Sequence, residues 1–410
     1  MIEAVLQFFG QQGNWWNTVL WFLMFFALIF LYPKLMIYQM VQILEKSAQK
    51  FEAMSQSSRK EMVEMIKDKS DLSEKKLKEN FDRMVDMFTV EPEDTDPAGV
   101  MKKIKQMYDV HDKRYRHFIK NISDMDEDKA KSFAAATVHS TAVHQIAKAV
   151  RHMLELVKET KNLQIGMLLK MQLPFIKKQI KMLRRSIECF AKEEPVGDSI
   201  GPLCAAHLIG DAEPEEIADD VVCAEQEIEG RNAFIIKPKG PSAVLGDVYE
   251  AFESVAEDND IDKIIAIDAK GKMKGEERGK VVEGIGFAMG PRGNAERHWI
   301  EDIAVEGDIP IESIGINQDP MEDVVRPMKK EIYEAVPQVE EAVRRAAKRS
   351  EEGSNIIIVG VGITVGVGND GEAVKKAEKI IKKNIKKMEE KEEEEEEPLI
   401  DRIADSLTPY

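Results

Sequence analysis

Residues 15–32 read WWNTVLWFLMFFALIFLY, eighteen positions without a charge. As a helix they extend about 27 Å at about 1.5 Å per residue, close to the hydrocarbon core of a bilayer. Phe and Leu occur on every face, which suits lipid better than a one-sided protein core. Trp15, Trp16 and Trp21 lie at or near the first end and Tyr32 at the other, where aromatic rings favour the two membrane interfaces. A cleaved signal peptide fits poorly, because no basic residue precedes the run and no small-x-small site follows it. Glu3 is the only charge before the span, whereas Lys34, Lys46 and Lys50 follow it. The positive-inside rule then sets the N-terminus outside and the C-terminal domain in the cytoplasm. Residues 355–367 are too few and too glycine-rich for a second pass. The expectation is a single-pass protein of the cell membrane, with the lipid bilayer as its partner through residues 15–32.

The remaining chain is strongly charged. Its net charge of -17 argues against nucleic acid as a partner, since phosphate would be repelled on average. Hydrophobic residues at 43% are enough for a true core. Cys189, Cys204 and Cys223 form no CxxC pair, which points to free thiols in a reducing compartment rather than a disulfide framework or a zinc ribbon.

Five segments follow from the patterning: an anchor at 1–33, a helical stalk at 34–96, a helical bundle at 97–194, an α/β domain at 195–390 and an acidic tail at 391–410. The fold class is α+α/β, with a largely parallel sheet. In the stalk, Leu35, Tyr38, Val41, Leu44, Phe51, Met54, Met62 and Met65 recur at helical spacing. Such a stripe serves as a coiled-coil seam for a homo-oligomer or packs within the chain. The segment VEPEDTD before Pro97 marks a joint. Residues 98–192 return to three or four helices and carry a basic block, including Lys102, Lys103, Lys105, Arg184 and Arg185. That block reads as a solvated face or as a surface for anionic headgroups. His144 and His152 share a helical face but lack the carboxylates or thiols of a metal site.

After Pro195 short β-rich runs at 221–229, 233–237, 261–267, 300–305 and 355–359 alternate with amphipathic segments at 246–256, 324–349 and 371–388. That alternation predicts the parallel α/β sheet. The tail opens with glutamates at 392–397, and Leu399, Ile400, Ile403 and Leu407 form one side of a short amphipathic helix.

Glycine-marked junctions supply the candidate sites. Asp198 sits in GDSIGPL ahead of an apolar helix, and Asp268 closes the apolar run IIAID. In an open parallel sheet the loops leaving carboxyl strand ends form the binding crevice. Two carboxylates brought close raise each other's proton affinity, so one acts as base and the other as acid about a water. The junction VGVGITVGVGN, with Gly360, Gly362, Gly366 and Gly368, is a candidate cofactor-binding loop for a nucleotide or phosphate. It lacks the GK[ST] of a P-loop, and tight packing of strand ends gives the same pattern. Plain structural roles also exist for the acids: Asp198 as a helix cap and Asp268 as a turn residue with Gly271.

GDSIGPL followed by an apolar strand ending in IDA resembles the hydrogenase-maturation endopeptidase and spore germination protease group. The resemblance implies that Asp198 and Asp268 are the paired acids. It also implies that a later histidine, His298, completes a metal-binding trio with them. Two aspartates and a neutral histidine leave an open position for water on a divalent metal, the cofactor this trio would take. The whole chain also resembles an uncharacterised archaeal family of membrane-anchored proteins, a domain of unknown function. Two functions are carried forward. One is a membrane-tethered, peptidase-related hydrolase using Asp198 and Asp268. The other is a non-enzymatic scaffold or ligand-binding module acting through the helical region and the acidic tail.

Overall fold

The computed structural model describes residues 15–89, 97–290 and 293–407. The joint at 90–96 and the extreme N-terminal residues lie outside them, and of the acidic tail only the helical backbone as far as Leu407 is described.

Two compact units divide the chain. The first comprises residues 1–56 and 144–180. It draws on α1 (Trp15–Lys67), α4 (Glu127–Thr160) and α5 (Leu163–Lys192). Leu44, Ala48 and Phe51 of α1 are buried, as are Val150, Leu154 and Val157 of α4 and Leu169 and Leu173 of α5. The stripe that predicted a stalk is therefore occupied, over this part, by the chain's own helices. Gly166 of α5 lies so near Met40 of α1 that a Cβ there would stand 3.0 Å from its Cγ. Arg151 spans Glu45 and Glu52, and Lys158 also reaches Glu45. Hydrogen bonds from Lys158 and then Arg151 hold the Glu45 carboxyl down at about 2.

The second unit comprises residues 57–143 and 181–410. Its helical part includes α2 (Glu74–Val85) and α3 (Pro97–Ile122). Met62, Ile66, Leu77, Phe81, Tyr115, Ile119, Phe133 and Phe190 form one buried cluster there. A 3₁₀ turn at Gly197–Ser199 leads into α6 (Ile200–Ile209), after which the sheet begins.

Seven strands form that sheet: β1 (Glu215–Ala218), β2 (Val221–Ile228), β3 (Arg231–Pro238), β4 (Lys263–Gly271), β5 (Val281–Ile285), β6 (Ile311–Gln318) and β7 (Asn355–Gly360). Their order is β1-β2-β3-β7-β4-β6-β5. Only the inner run β3-β7-β4-β6 is parallel; β1-β2, β2-β3 and β5-β6 are antiparallel. The sheet is mixed, which corrects the largely parallel sheet expected from the alternation of elements. The reason is local. Glu229 and Gly230, both at positive φ, connect β2 to β3 directly, and a two-residue link joins only antiparallel neighbours.

Helices cover both faces. Ile265 and Ile267 of β4 and Ile356 and Ile358 of β7 face α6, α10 (Val336–Ala347) and the first part of α11 (Gly371–Leu407). Ile264, Ala266, Ile357 and Val359 face α7 (Val248–Asp258) and α8 (Asn294–Glu306). Double coverage explains why β4 and β7 read as unbroken apolar runs. The short α9 (Lys330–Tyr333) precedes α10. Residues 300–305, expected as a strand, belong to α8: Ala295, Ile300 and Ala304 turn inward at helical spacing while Val305 is exposed.

Candidate acid pair and its cleft

The carboxyl ends of β4 and β7 meet the start of α6. Glycines make that approach possible. A Cβ on Gly201 would stand 2.1 Å from the Val361 carbonyl oxygen and 2.6 Å from that of Ile267. One on Gly360 would stand 2.5 Å from the Ala205 Cβ, and one on Gly362 would meet the Asp198 carbonyl at 2.1 Å. Without side chains at these positions, the helix start abuts two strand ends, and the 3₁₀ turn delivers Asp198 beside Asp268.

Asp198 is half-buried, just ahead of α6. Its Oδ2 accepts the Ile363 N–H at 2.9 Å, 165 residues further along the chain. It does not cap its own helix, whose N-cap position is Ser199. Burial pushes its carboxyl up to about 6, against the pull of the Ile363 N–H. Asp268 is the more deeply buried of the two, and its Oδ1 accepts the Ala269 N–H at 2.6 Å. Burial and then the charge of Asp198 raise its proton affinity well above the usual carboxylate range. Two carboxylates that share a site cannot both ionise cheaply, so the pair retains a proton where isolated aspartates have lost theirs.

Asp268 borders a cleft of about 330 Å³ whose walls include Lys270, Glu283, Met289 and Arg297. The floor is shallow because of register. Asp268 pairs with Gly315 of β6, which pairs with Val282 of β5. At about 4.8 Å between strands, this row runs roughly 10 Å from Asp268 to the sheet edge across a position with no side chain. Lys270 reaches Asn317 Oδ1 at 3.1 Å, and Arg297 binds Glu301 at 2.9 Å.

His298 does not join the acids. It lies on α8, 54% exposed, with Nε2 3.5 Å from Asp302. Among the described residues no group of three His, Cys, Asp or Glu side chains is placed to hold a metal ion. The trio of Asp198, Asp268 and His298 is therefore corrected to a pair of acids. The cause is the helical phase of α8, which aims His298 at solvent while Arg297 lines the cleft.

The four glycines expected to bind a cofactor are packed against the chain itself. Besides Gly360 and Gly362, a Cβ on Gly366 would meet the Glu193 carbonyl at 2.3 Å, and one on Gly368 would meet the Ala373 Cβ at 2.3 Å. Close packing is sufficient to account for their identity.

A buried lysine escaped the sequence reading. Lys237, at the end of β3, donates to the Pro238 carbonyl at 2.8 Å and to Asn369 Oδ1 at 2.9 Å. Burial pulls its ammonium down to about 7. The sign available was its place inside the apolar run AFIIKP, where a lysine must either pair or lose its charge. A second cavity, of about 300 Å³, includes Arg116, Lys131 and Asp220 in its lining. Arg116 and Lys131 already bind Asp220, at 2.9 and 2.5 Å. The three cysteines are free and buried, and burial disfavours their thiolates.

Two family models match the chain in succession. The N-terminal domain of a protein of unknown function, DUF1512, covers residues 18–193, and the DUF1512 C-terminal domain covers residues 196–368. The chain belongs to the DUF1512 family. The junction between the two family domains falls at the residues leading into the 3₁₀ turn, so Asp198 and Asp268 both lie in the C-terminal one. No curated protein and no solved structure matches the chain.

Proposed function

We propose that this chain is a membrane-tethered acid–base catalyst, a peptidase-related hydrolase whose reacting group is Asp268. The observation that carries the reading is the pair Asp198–Asp268, in which the half-buried Asp198 raises the proton affinity of the buried Asp268 at the edge of the cleft. Asp198, stabilised by the Ile363 N–H, carries the negative charge. Asp268 carries the proton and supplies a general acid at neutral pH. Asp198 is a positioning residue, because it acts through the proton affinity of its neighbour. In hydrolysis the Asp268 proton passes to the leaving amine, water adds to the acyl carbon, and the proton released by that water restores Asp268. One water is consumed for each bond broken.

The edge of the sheet favours an extended peptide as substrate. β5 pairs on one side only, with β6, and Ile285 is 97% exposed. An extended chain added to such an edge is held by its backbone and lies along the cleft. For the tether, α1 supplies one helix long and apolar enough to cross a membrane, and residues 20–26 of it are exposed. A single pass with the catalytic unit on the cytoplasmic side agrees with the lysines that follow the span.

The full chain in lipid nanodiscs, mixed with a library of internally quenched peptides, tests the reaction. Cleavage is expected from the native chain, with roughly a hundredfold loss for Asp268→Asn. An Asp198→Asn chain should keep measurable activity with its basic pH limb moved to lower pH. A native chain that cleaves nothing in the library, or a fully active Asp268→Asn chain, overturns the hydrolase and leaves the scaffold.

A further inference from the structure

We infer that the α4–α5 hairpin is a second membrane contact, lying in the headgroup region beside the spanning part of α1. The inference rests on the membrane-tether reading above and adds a surface to it.

The apolar character of α1 does not stop at Tyr32. Lys34 is the sole charge between Trp15 and Leu44, and Glu45 is the next. Leu35, Tyr38 and Ile43 in that stretch are exposed. Thirty residues of helix extend about 45 Å, the full thickness of a bilayer with its headgroups rather than of the hydrocarbon alone. Lys34 has a stem long enough to carry its ammonium to the interface. The segment around Met40 accordingly falls at headgroup level.

The hairpin is brought to that level by contacts within the first unit. His144 of α4 lies opposite Ser55 of α1, Arg151 opposite Glu52 and Glu45, and Lys158 opposite Glu45. α4 thus runs antiparallel to α1, toward the span. After the turn α5 sets out from beside Met40, where Gly166 permits the approach. Along this first stretch α5 buries Leu169 and Leu173 against its neighbours. Its opposite face should be polar in a water-facing helix. Instead it exposes Met167, Leu168 (57%), Met171 (78%) and Phe175 (57%), spaced to form one stripe.

The stripe is bordered by exposed Lys161 and Lys170, with no acidic residue between Lys161 and Arg185. An apolar stripe with basic flanks, at the level where the same unit leaves the bilayer, is matched by an anionic lipid interface. There Met167 and Leu168, at the start of the stripe, enter the interface, Met171 follows one turn further out, and the lysines meet the headgroups. A second copy of this chain would bring the same lysines against each other.

The buried cysteines allow a label to be directed to one introduced thiol in the folded full chain. Leu28→Cys and Met171→Cys chains, each carrying an environment-sensitive fluorophore, are reconstituted into vesicles containing anionic lipid. The label on the Leu28→Cys chain reads the span and should be quenched by a lipid with a mid-chain nitroxide. The label on Met171→Cys should emit to the blue and be quenched roughly twofold by a nitroxide near the headgroup. If position 28 is quenched while position 171 emits as in water, the span stands and the hairpin contact is overturned. If position 28 escapes quenching, the tether itself fails. A Met171→Cys chain that instead oxidises to a disulfide dimer assigns the stripe to a second copy and likewise overturns the lipid contact.

Discussion

Asp198 and Asp268 tie the stability of the second unit to pH in a direction opposite to most carboxylates. An aspartate in the unfolded chain titrates near 3.8, whereas Asp198 is raised to about 6 and Asp268 is raised as well. Their contribution to stability is fully present below the unfolded value and is lost as pH rises through the folded ones. Asp268→Asn removes that liability. The variant is expected to melt at higher temperature at pH 7, by the equivalent of about 1–3 kcal/mol, and to show a smaller fall in stability as pH rises above roughly 4, keeping the part that the burial of Asp198 causes. Calorimetry of both chains from roughly pH 4 to pH 8 measures it, and an unchanged profile would count against the raised proton affinity of Asp268. Lys237 presents the mirror case. Its folded value is depressed to about 7, so stability is present above the unfolded value near 10.5 and is lost as pH falls toward 7. Lys237→Met should therefore stabilise the protein at pH 7, by at least about 1 kcal/mol, unless the hydrogen bonds to Pro238 and Asn369 outweigh the cost of burial. Denaturant midpoints at pH 7 and pH 10 separate the two effects, because burial of charge acts at the lower pH.

At the level of elements, the contact between α6 and the ends of β4 and β7 decides whether a site exists. Gly201 and Gly360 let a helix start and two strand ends come together, and no soft side chain stands between them to yield. Gly360→Ala would force a methyl against the Ala205 Cβ and the Gly201 carbonyl, and should lower stability by about 1–3 kcal/mol. Such a change also separates Asp198 from Asp268, so the titration of Asp268, followed by carbon NMR of labelled aspartate, should return toward ordinary values. A destabilised variant with unchanged titration would show that the acids are positioned by something other than this packing. The edge strand β5 belongs to the same scale. It was missed in the sequence because VVEGI is short and carries a glycine, yet its register with Gly315 opens the cleft floor.

Across the whole molecule, one apolar segment and a net charge of -17 stand at opposite extremes of solubility. Interfacial contact by charge alone is screened by salt, whereas a spanning helix is not. Membranes carrying the full chain are expected to retain it through washes in 1 M salt and at alkaline pH; recovery in the supernatant would refute the span. Local patterns made the long apolar helix legible, along with the helical half and the runs that became β3, β4 and β7. A stretch of uncharged Leu and Phe, a helical repeat of buried positions and an apolar strand each carry their signal within a few turns of chain. The Glu229–Gly230 hairpin was also written locally, but alternation of elements outweighed it and the sheet was read as parallel. Residues 300–305 misled through their β-branched content, although their apolar positions follow a helical period.

The sequence by itself thus determined which segments are helix, which are central strands and which one suits lipid, since those properties follow from side-chain type and period. It also contained both aspartates, each in a recognisable setting of glycines and apolar residues. Only the tertiary structure decided that Asp198 and Asp268 share an environment and that His298 stands apart. It alone put the glycines of the last junction to work as packing surfaces for a helix start. Proximity across long stretches of chain depends on strand order and helix phase, and neither can be read from the residues on one side of the contact.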